Sequence, residues 1–366
     1  MSRIARVEVF AAEEIAIVHV MNRTVRRCFL MGDDPLTGKN FDHRKTWMEF
    51  ELRRLAAYFG IDLLCYAILS NHFHLILRSR PDVVEQWSDN EVARRWLWLC
   101  PKRKDAENQP LEPSAFELNT ICNDPVRLKV IRSRLSDISW WMRLLSQKIA
   151  QRANSDDDEV GKFWQSRYRA VRLLDETALL ACAAYVDLNP IRAAMAETIE
   201  SSDFTSAQQR VLDLQQQALT TANSTAPLVP SSKLQDLPNV ARIGSDFLTP
   251  LTIDELRDAI GLSVHTAGHR ASDKGFLPMS AASYVELLDW TARQFRSDKR
   301  GSTPASAEPV FKRLGISGEI WTELVRDFGI LFCTVAGQPH VIDSRRSRRG
   351  SRRYNVRQRA RELLVG

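Results

Sequence analysis

A mixed α+β fold is predicted for roughly the first two hundred of the 366 residues, with helices on one face of a mainly antiparallel sheet. Three observations predict it. Apolar, β-branched runs return after helical segments instead of clustering at one end of the chain. Two of those runs, Ile61 to Leu69 and His72 to Arg78, are separated only by Ser70-Asn71, the length of a hairpin turn. Between them and a further apolar run lie segments whose apolar residues recur at helical spacing.

The elements follow in order. Glu14 to Arg23 reads as the opening strand, and a loop through Gly32-Asp-Asp-Pro35 leads to a helix from His43 to Phe59, with Trp47, Phe50, Leu55 and Ala56 on its apolar side. After the strand pair, residues 80–136 read as an insertion carrying Trp87, Trp96, Trp98 and the basic string Pro101-Lys-Arg-Lys104. Trp96 and Trp98 beside Arg94 and Arg95 are open to two readings, a stacking platform for unpaired bases or a helical hairpin that buries its own tryptophans; the hairpin is the preferred one. Ser139 to Ala153 is a second helix, Asn154 to Glu159 an acidic solvated loop, and Lys162 to Leu174 a further strand.

Strand alternation makes His72-Phe73-His74 informative. The two imidazoles share a face while Phe73 turns to the core. Neutral ring nitrogens placed side by side can hold a divalent cation and leave positions for oxygen ligands and phosphate, although two half-exposed strand histidines satisfy the same pattern. His19, on the opening strand, reads as a core histidine or a support to a ligand. Farther on, Asp175-Glu176 open an Ala/Leu-rich helix from Thr177 that is expected to stop at Pro190. Tyr185 and Asn189 are four apart, so a phenol and a carboxamide look the same way. Each residue alone also suits a packed helix position.

Taken together, four blocks in order resemble the HUH single-tyrosine transposases, in the REP-associated branch of the insertion-sequence group. The blocks are Ile17-Val-His-Val-Met-Asn-Arg23, Ala67-Ile-Leu-Ser-Asn-His-Phe-His-Leu-Ile-Leu77, Phe163-Trp-Gln-Ser-Arg-Tyr-Arg169 and Ala184-Tyr-Val-Asp-Leu-Asn-Pro-Ile-Arg-Ala193. The resemblance implies a ferredoxin-like or palm-like core over residues 1–200. It implies Tyr185 as the nucleophile, and His72, His74 and Asn189 as ligands of Mg2+ or Mn2+, where insertion-sequence relatives often carry the longer Gln in place of Asn189. The implied partner is single-stranded DNA with a hairpin, nicked and rejoined through a 5′-phosphotyrosine without ATP, by a monomer or homodimer. A binder of hairpin DNA or RNA that has lost turnover is the alternative reading, and a metal-dependent phosphoesterase using water is a third. Arg23, Arg167, Arg169 and Arg192 flank the blocks as candidate phosphate contacts, Arg being suited to bidentate phosphate binding.

Beyond residue 200 the resemblance ends. Residues 201–238 have linker composition after a short helix, and residues 239–343 read as a small helical module with Trp290 and Trp321 in its core. Residues 344–366 are an Arg-rich tail with Arg345, Arg346, Arg348, Arg349, Arg352, Arg353, Arg357, Arg359 and Arg361, expected to be disordered when free and to grip DNA phosphates. A net charge of +6 suits a polyanionic partner without identifying one. The six cysteines show neither metal-ligand spacing nor a disulfide framework and are expected as reduced thiols. No apolar run approaches the ~20 residues of a membrane span, and the start of the chain lacks a signal-like core, so a cytoplasmic, nucleoid-associated protein without membrane contact is expected.

Overall fold

The computed structural model describes residues 9–11, 13–25, 28–106, 109–223, 244–254, 268–295, 304–349, 354 and 356–364. Strands β1 (Ile17–Arg23), β2 (Ile61–Ile68), β3 (His72–Ser79), β4 (Arg169–Leu173) and β5 (Val335–Ala336) form one sheet in the order β2-β3-β1-β4-β5. All neighbours are antiparallel except β4 and β5. The fold is therefore mixed α+β as predicted, with a parallel edge that the sequence did not suggest.

Both faces of the sheet are covered, which corrects the expectation of helices on one face. Alternation along β1 and β3 sends Val18, Val20, Phe73, Leu75 and Leu77 to a first core and Ile17, His19, His74 and Ile76 to the other side. In β2 every residue is buried, and a bulge between Leu63 and Cys65 turns Leu64, Cys65 and Ala67 to the second core.

The first core lies under α1 (His43–Tyr58) and α6 (Ile138–Asp157). Helices α2 (Pro81–Gln86), α3 (Asp89–Leu99), α4 (Ala115–Cys122) and α5 (Pro125–Leu135) extend it through the segment expected as an insertion. There Trp87 and Trp96 are buried, Trp98 stacks on Tyr58, and Arg95 lies 4.0 Å over the Trp87 ring. The self-burying reading holds, and Trp96 with Arg95 is not available as a base platform. The acidic stretch expected as a solvated loop ends α6 instead: Asp156 and Asp157 hold the fully buried Arg44 guanidinium at 2.8 and 2.5 Å. Arg44 cannot be buried unpaired, so the carboxylates are drawn to it.

The second core gathers α7 (Glu176–Asp187), α8 (Asn189–Arg192), α9 (Ser206–Asn223), α10 (Ala281–Gln294), α11 (Glu308–Leu314) and α12 (Gly318–Leu331). Helix α9 is longer than the short helix expected before the linker, and it packs Ala207 and Val211 into this core. Residues 224–243, the rest of the expected linker, lie outside the described residues. Trp290 and Trp321 are buried as predicted, but in a core shared with β2, β4 and α7 and not in one confined to residues 239–343. Within the tail expected to be disordered, the described residues form the end of α13 (Pro339–Arg349) and all of α14 (Gln358–Leu364). The fourth strand is shorter than expected, starting at Arg169; before it Trp164 keeps one isolated antiparallel bridge to Thr24 and donates its indole N–H to Ser146 O at 2.7 Å. No helix among the described residues is long and apolar enough to cross a membrane.

A buried carboxylate ties the far C-terminal half to the sheet. Asp62 on β2 accepts from Arg78 at 2.8 Å, Arg80 at 3.4 Å and Ser272 at 2.8 Å, and Arg78 also donates to Gly275 O at 3.0 Å. Gly275 is required there, since a Cβ would sit 1.9 Å from Thr252 O. Removing the carboxylate leaves the buried Arg78 guanidinium with backbone carbonyls and no counter-ion, and takes one of two from Arg80, which keeps Asp82 at 2.8 Å. Asp62→Ala should therefore cost about 3–5 kcal/mol, read from urea unfolding; a loss below about 1 kcal/mol, the range of an exposed pair, would show that Asp62 is not what satisfies them.

Candidate active site

The second face of the sheet brings His19, Met21 and Arg23 of β1 against His72 and His74 of β3 and Arg169 and Val171 of β4, by antiparallel register. Helix α7 lies over them. It is capped by Asp175, whose side chain accepts from Ala178 N, and it is buried at nearly every position, as its Ala/Leu composition requires. Tyr185 is the half-exposed residue among buried neighbours. The expected single helix through Asn189 breaks at Leu188, and Pro190 opens α8 where its missing N–H is harmless. Tyr185 and Asn189 thus belong to different helices yet still reach one histidine.

Four predicted residues converge. The Tyr185 ring meets His74 edge-on at 5.4 Å between centroids, His72 and His74 rings are 5.1 Å apart, and Asn189 Nδ2 lies 3.2 Å from His74 Nε2. The Asn71 side-chain oxygen accepts from His72 Nδ1 at 2.8 Å, which places the His72 lone pair on Nε2. Asn189 donates to His74 Nε2, so His74 Nδ1–H points at His19 Nε2, 2.9 Å away. His19 is thus the partner that orients His74, and Asn71 plays that part for His72. Burial lowers the His72 pKa to about 4, helped by Arg23, and that of His19 to about 3, helped by Arg169. His74 is pushed well below the ordinary range by burial and by its histidine neighbours.

Neutral imidazoles with Nε2 lone pairs are the form in which histidine binds a cation. No set of three or more His, Cys, Asp and Glu side chains that could hold a metal occurs among the described residues, and the polar side chain nearest His74 Nε2 is a carboxamide. Asn189 supplies one, on condition that its amide turns to present oxygen. The donor set fits a divalent ion in chemistry.

Helix α12 closes the site, a feature the sequence did not signal. Phe328 packs 5.6 Å from the Tyr185 ring and 6.2 Å from His19, and Phe332 and Gly329 complete a cavity of about 20 Å³ with His19, His74, Arg169 and Tyr185. Such a space has room for a water and none for a phosphodiester.

The other candidates divide. Arg192 stacks 4.7 Å over the Tyr185 ring and donates to Arg326 O at 2.5 Å. Arg23 and Arg169 are exposed at the site's rim, opposite His72 and Met21 in register, and Arg167 is exposed two residues earlier. Arg345 pairs with Glu14 at 2.6 Å and Arg346 donates to Tyr354 O at 2.6 Å, so neither is the free tail cation expected. Arg359 and Arg361 are likewise engaged, by Glu323 and Asp343. The side chains of Arg348 and Arg349, and Arg352 and Arg353 entirely, lie outside the described residues.

The closed geometry has two measurable consequences. A Cβ on Gly329 would lie 2.8 Å from the Tyr185 hydroxyl. Gly329→Ala should forfeit the ~1 kcal/mol that Ala normally gains in a helix, and should recover it in a Tyr185→Phe background; additive effects in this double-mutant cycle would mean that the contact is absent. Folded-state pKa values below the unfolded one mean that the unfolded chain binds more protons as pH falls. Stability should therefore be full above about pH 6.5 and decline below it, by up to about 1.4 kcal/mol per pH unit for each histidine. A slope between pH 6.5 and 5 that His72→Gln leaves unchanged would contradict burial of that imidazole.

No family model matches the chain, and no curated protein matches it. Among solved structures, that of a REP-associated tyrosine transposase bound to a REP hairpin is similar with a TM-score of 0.34 and 11% identity, covering 65% of this chain and 95% of that one. Likeness at that level decides neither fold nor role, and the residues of the site carry the reading that follows.

Proposed function

We propose that this chain cleaves and rejoins single-stranded DNA at or near hairpins, as a transposase whose nucleophile is Tyr185. The observation that carries the reading is the convergence on one sheet face of a tyrosine, two neutral histidines and a carboxamide from segments more than a hundred residues apart. The Tyr185 oxygen attacks phosphorus and loses its proton to solvent. The bond from phosphorus to the 3′ oxygen breaks, that oxygen leaves as a hydroxyl, and the 5′ phosphoryl group stays on Tyr185. A second strand's 3′-hydroxyl reverses the step and frees the phenol, so no ATP is consumed. A Mg2+ or Mn2+ ion bound by His72, His74 and Asn189 supplies charge stabilisation for the phosphate. Arg192 over the Tyr185 ring, Arg169 in the same cavity and Arg23 opposite His72 provide cationic contacts for the entering strand. Action as a monomer or homodimer at the nucleoid belongs to the same reading.

The closed cavity favours one alternative, a hairpin-binding regulator that keeps the site without turnover. A covalent assay separates the two. With labelled hairpin DNA and Mn2+, the protein should form an adduct that survives denaturing gels and vanishes with EDTA or in Tyr185→Phe. His72→Ala or His74→Ala should reduce it about 10²-fold or more, the several kcal/mol a bound cation supplies. Tight hairpin binding with no adduct under any condition would leave the regulator as the function.

A further inference from the structure

On the far side of the first core, a groove of about 940 Å³ runs between α1, α6 and a wall that includes Leu99, Pro101, Lys104 and Pro110. Its walls follow from helical spacing. Trp140, Arg143, Gln147, Lys148, Gln151 and Arg152 recur at three- and four-residue steps along α6 and face the groove together. Trp47, Phe50, Glu51 and Arg54 do the same along α1. Pro101 and Lys104, the two ends of the basic string, also line it.

Charge here is unbalanced in a particular way. Arg54 is paired with Glu51 at 2.8 Å, and Asp156 is taken by Arg44. Arg143, Lys148 and Arg152 form no ion pair among the described residues. Two of them are instead propped on aromatic rings, Arg152 at 4.0 Å over Trp47 and Arg143 at 4.7 Å over Trp140. Stacking on a ring fixes a guanidinium while its N–H edge stays open, so the cost of ordering it is met before any ligand arrives. Lys148 is half-buried beside Lys104, Arg54 and Arg152; burial and these cations lower its pKa against the pull of Glu51. Phe50 lies in the same groove at 55% exposed, although its place in the helical pattern predicted a core residue.

We propose that this groove binds single-stranded DNA, with Arg143, Lys148 and Arg152 on successive phosphates and a base stacked on Phe50. Lys148 and Arg152 stand one turn apart on one side of α6, a rise of about 6 Å at 1.5 Å per residue, and Arg143 lines the groove at its Trp140 end. An open aromatic face between phosphate contacts is the arrangement that holds unpaired bases, and a duplex keeps its base faces inside. The choice of DNA among strands rests on the reading of the Tyr185 site. The groove itself lies on the opposite side of the sheet and needs no chemistry there.

Fluorescence anisotropy with the full chain and a labelled oligo-deoxythymidylate of about twelve nucleotides, in EDTA, tests this. The combined variant Arg143→Gln, Lys148→Gln, Arg152→Gln should bind at least tenfold more weakly. Its log–log salt dependence should be shallower by about 2, three contacts at ~0.7 each. Phe50→Ala should weaken binding about tenfold at constant salt slope. Circular dichroism melting of each variant checks that these surface changes leave the fold intact. Unchanged affinity and slope in the triple variant would overturn the proposal. So would an unaffected Phe50→Ala protein whose oligonucleotide is displaced by heparin at equal charge, which would describe a general polyanion surface. Tighter binding of oligo-uridylate would overturn the choice of DNA. Loss of the Tyr185 adduct with these binding effects intact would defeat the catalytic reading alone, and the converse result would defeat the groove alone.

Discussion

Strand β3 sends His74 and Arg78 into a buried face, with His72 at its edge, and the architecture on that side of the sheet is organised to satisfy them. A buried polar group left without a partner costs roughly 1–3 kcal/mol, and more when charged. Each therefore recruits one from a distance: Asp62 and the Gly275 carbonyl for Arg78, His19 and Asn189 for His74, Asn71 for His72. Because the partners come from β1, β2, α8 and the segment before α10, satisfying one strand assembles the second core. Asp187 extends the pattern by accepting from Ala207 N and the Tyr284 hydroxyl, which locks α7 to α9 and α10 around the same site.

Elements governed by local chemistry were legible in the sequence, and those governed by distant pairing were not. The β2–β3 hairpin, α1, α6 and the start of α7 follow from periodicity, a two-residue link and an aspartate cap, all within a few residues of one another. Residue types at Tyr185, His72, His74 and Asn189 were readable for the same reason, from a strand alternation and a four-residue spacing, although the break at Leu188 between Tyr185 and Asn189 was not. The covering of both faces had a signal too, in the unbroken apolar run of Ile61 to Leu69, since a strand buried on both sides loses its polar alternation. Strand β5 is two residues long and joins β4 across some 160 residues, so no local pattern announces it. The same holds for Phe328, whose amphipathic helix is legible while its target, Tyr185, is not.

Overall charge was a poor guide to where an anion could bind. Several arginines that swell the positive count are structural: Arg44, Arg78 and Arg95 are buried against carboxylates, and Arg345, Arg359 and Arg361 of the C-terminal segment are held by acidic partners. A paired guanidinium has little field to offer a phosphate. What matters is the placement of cations without such partners, and on the first-core side these sit on Trp47 and Trp140 along α1 and α6. Arg143 on Trp140 is a three-residue step within α6 that spacing allows, but Arg152 on Trp47 joins two helices across 105 positions, which no local pattern announces.

Access to Tyr185 is set by which of its two walls can yield. Helix α7 is buried at nearly every position and fixed at both ends, by the Asp175 cap and by the Asp187 network, so moving it would dismantle the second core. Helix α12 has an exposed side, with Ile330 at 59%, and only its last turn and Phe332 overlie the cavity. Exposing Phe328 and Phe332 costs about 1.5–3 kcal/mol each, or roughly 3–6 kcal/mol together, which corresponds to an open fraction on the order of 10⁻² to 10⁻⁴ at 1.4 kcal/mol per decade. A ligand that binds only the opened site forfeits that same factor from its affinity, whereas one that engages the opposite groove forfeits nothing there. The cationic groove is thus formed in the resting molecule, whereas the side of the Tyr185 ring that faces His19 and His74 is uncovered only when the end of α12 lifts.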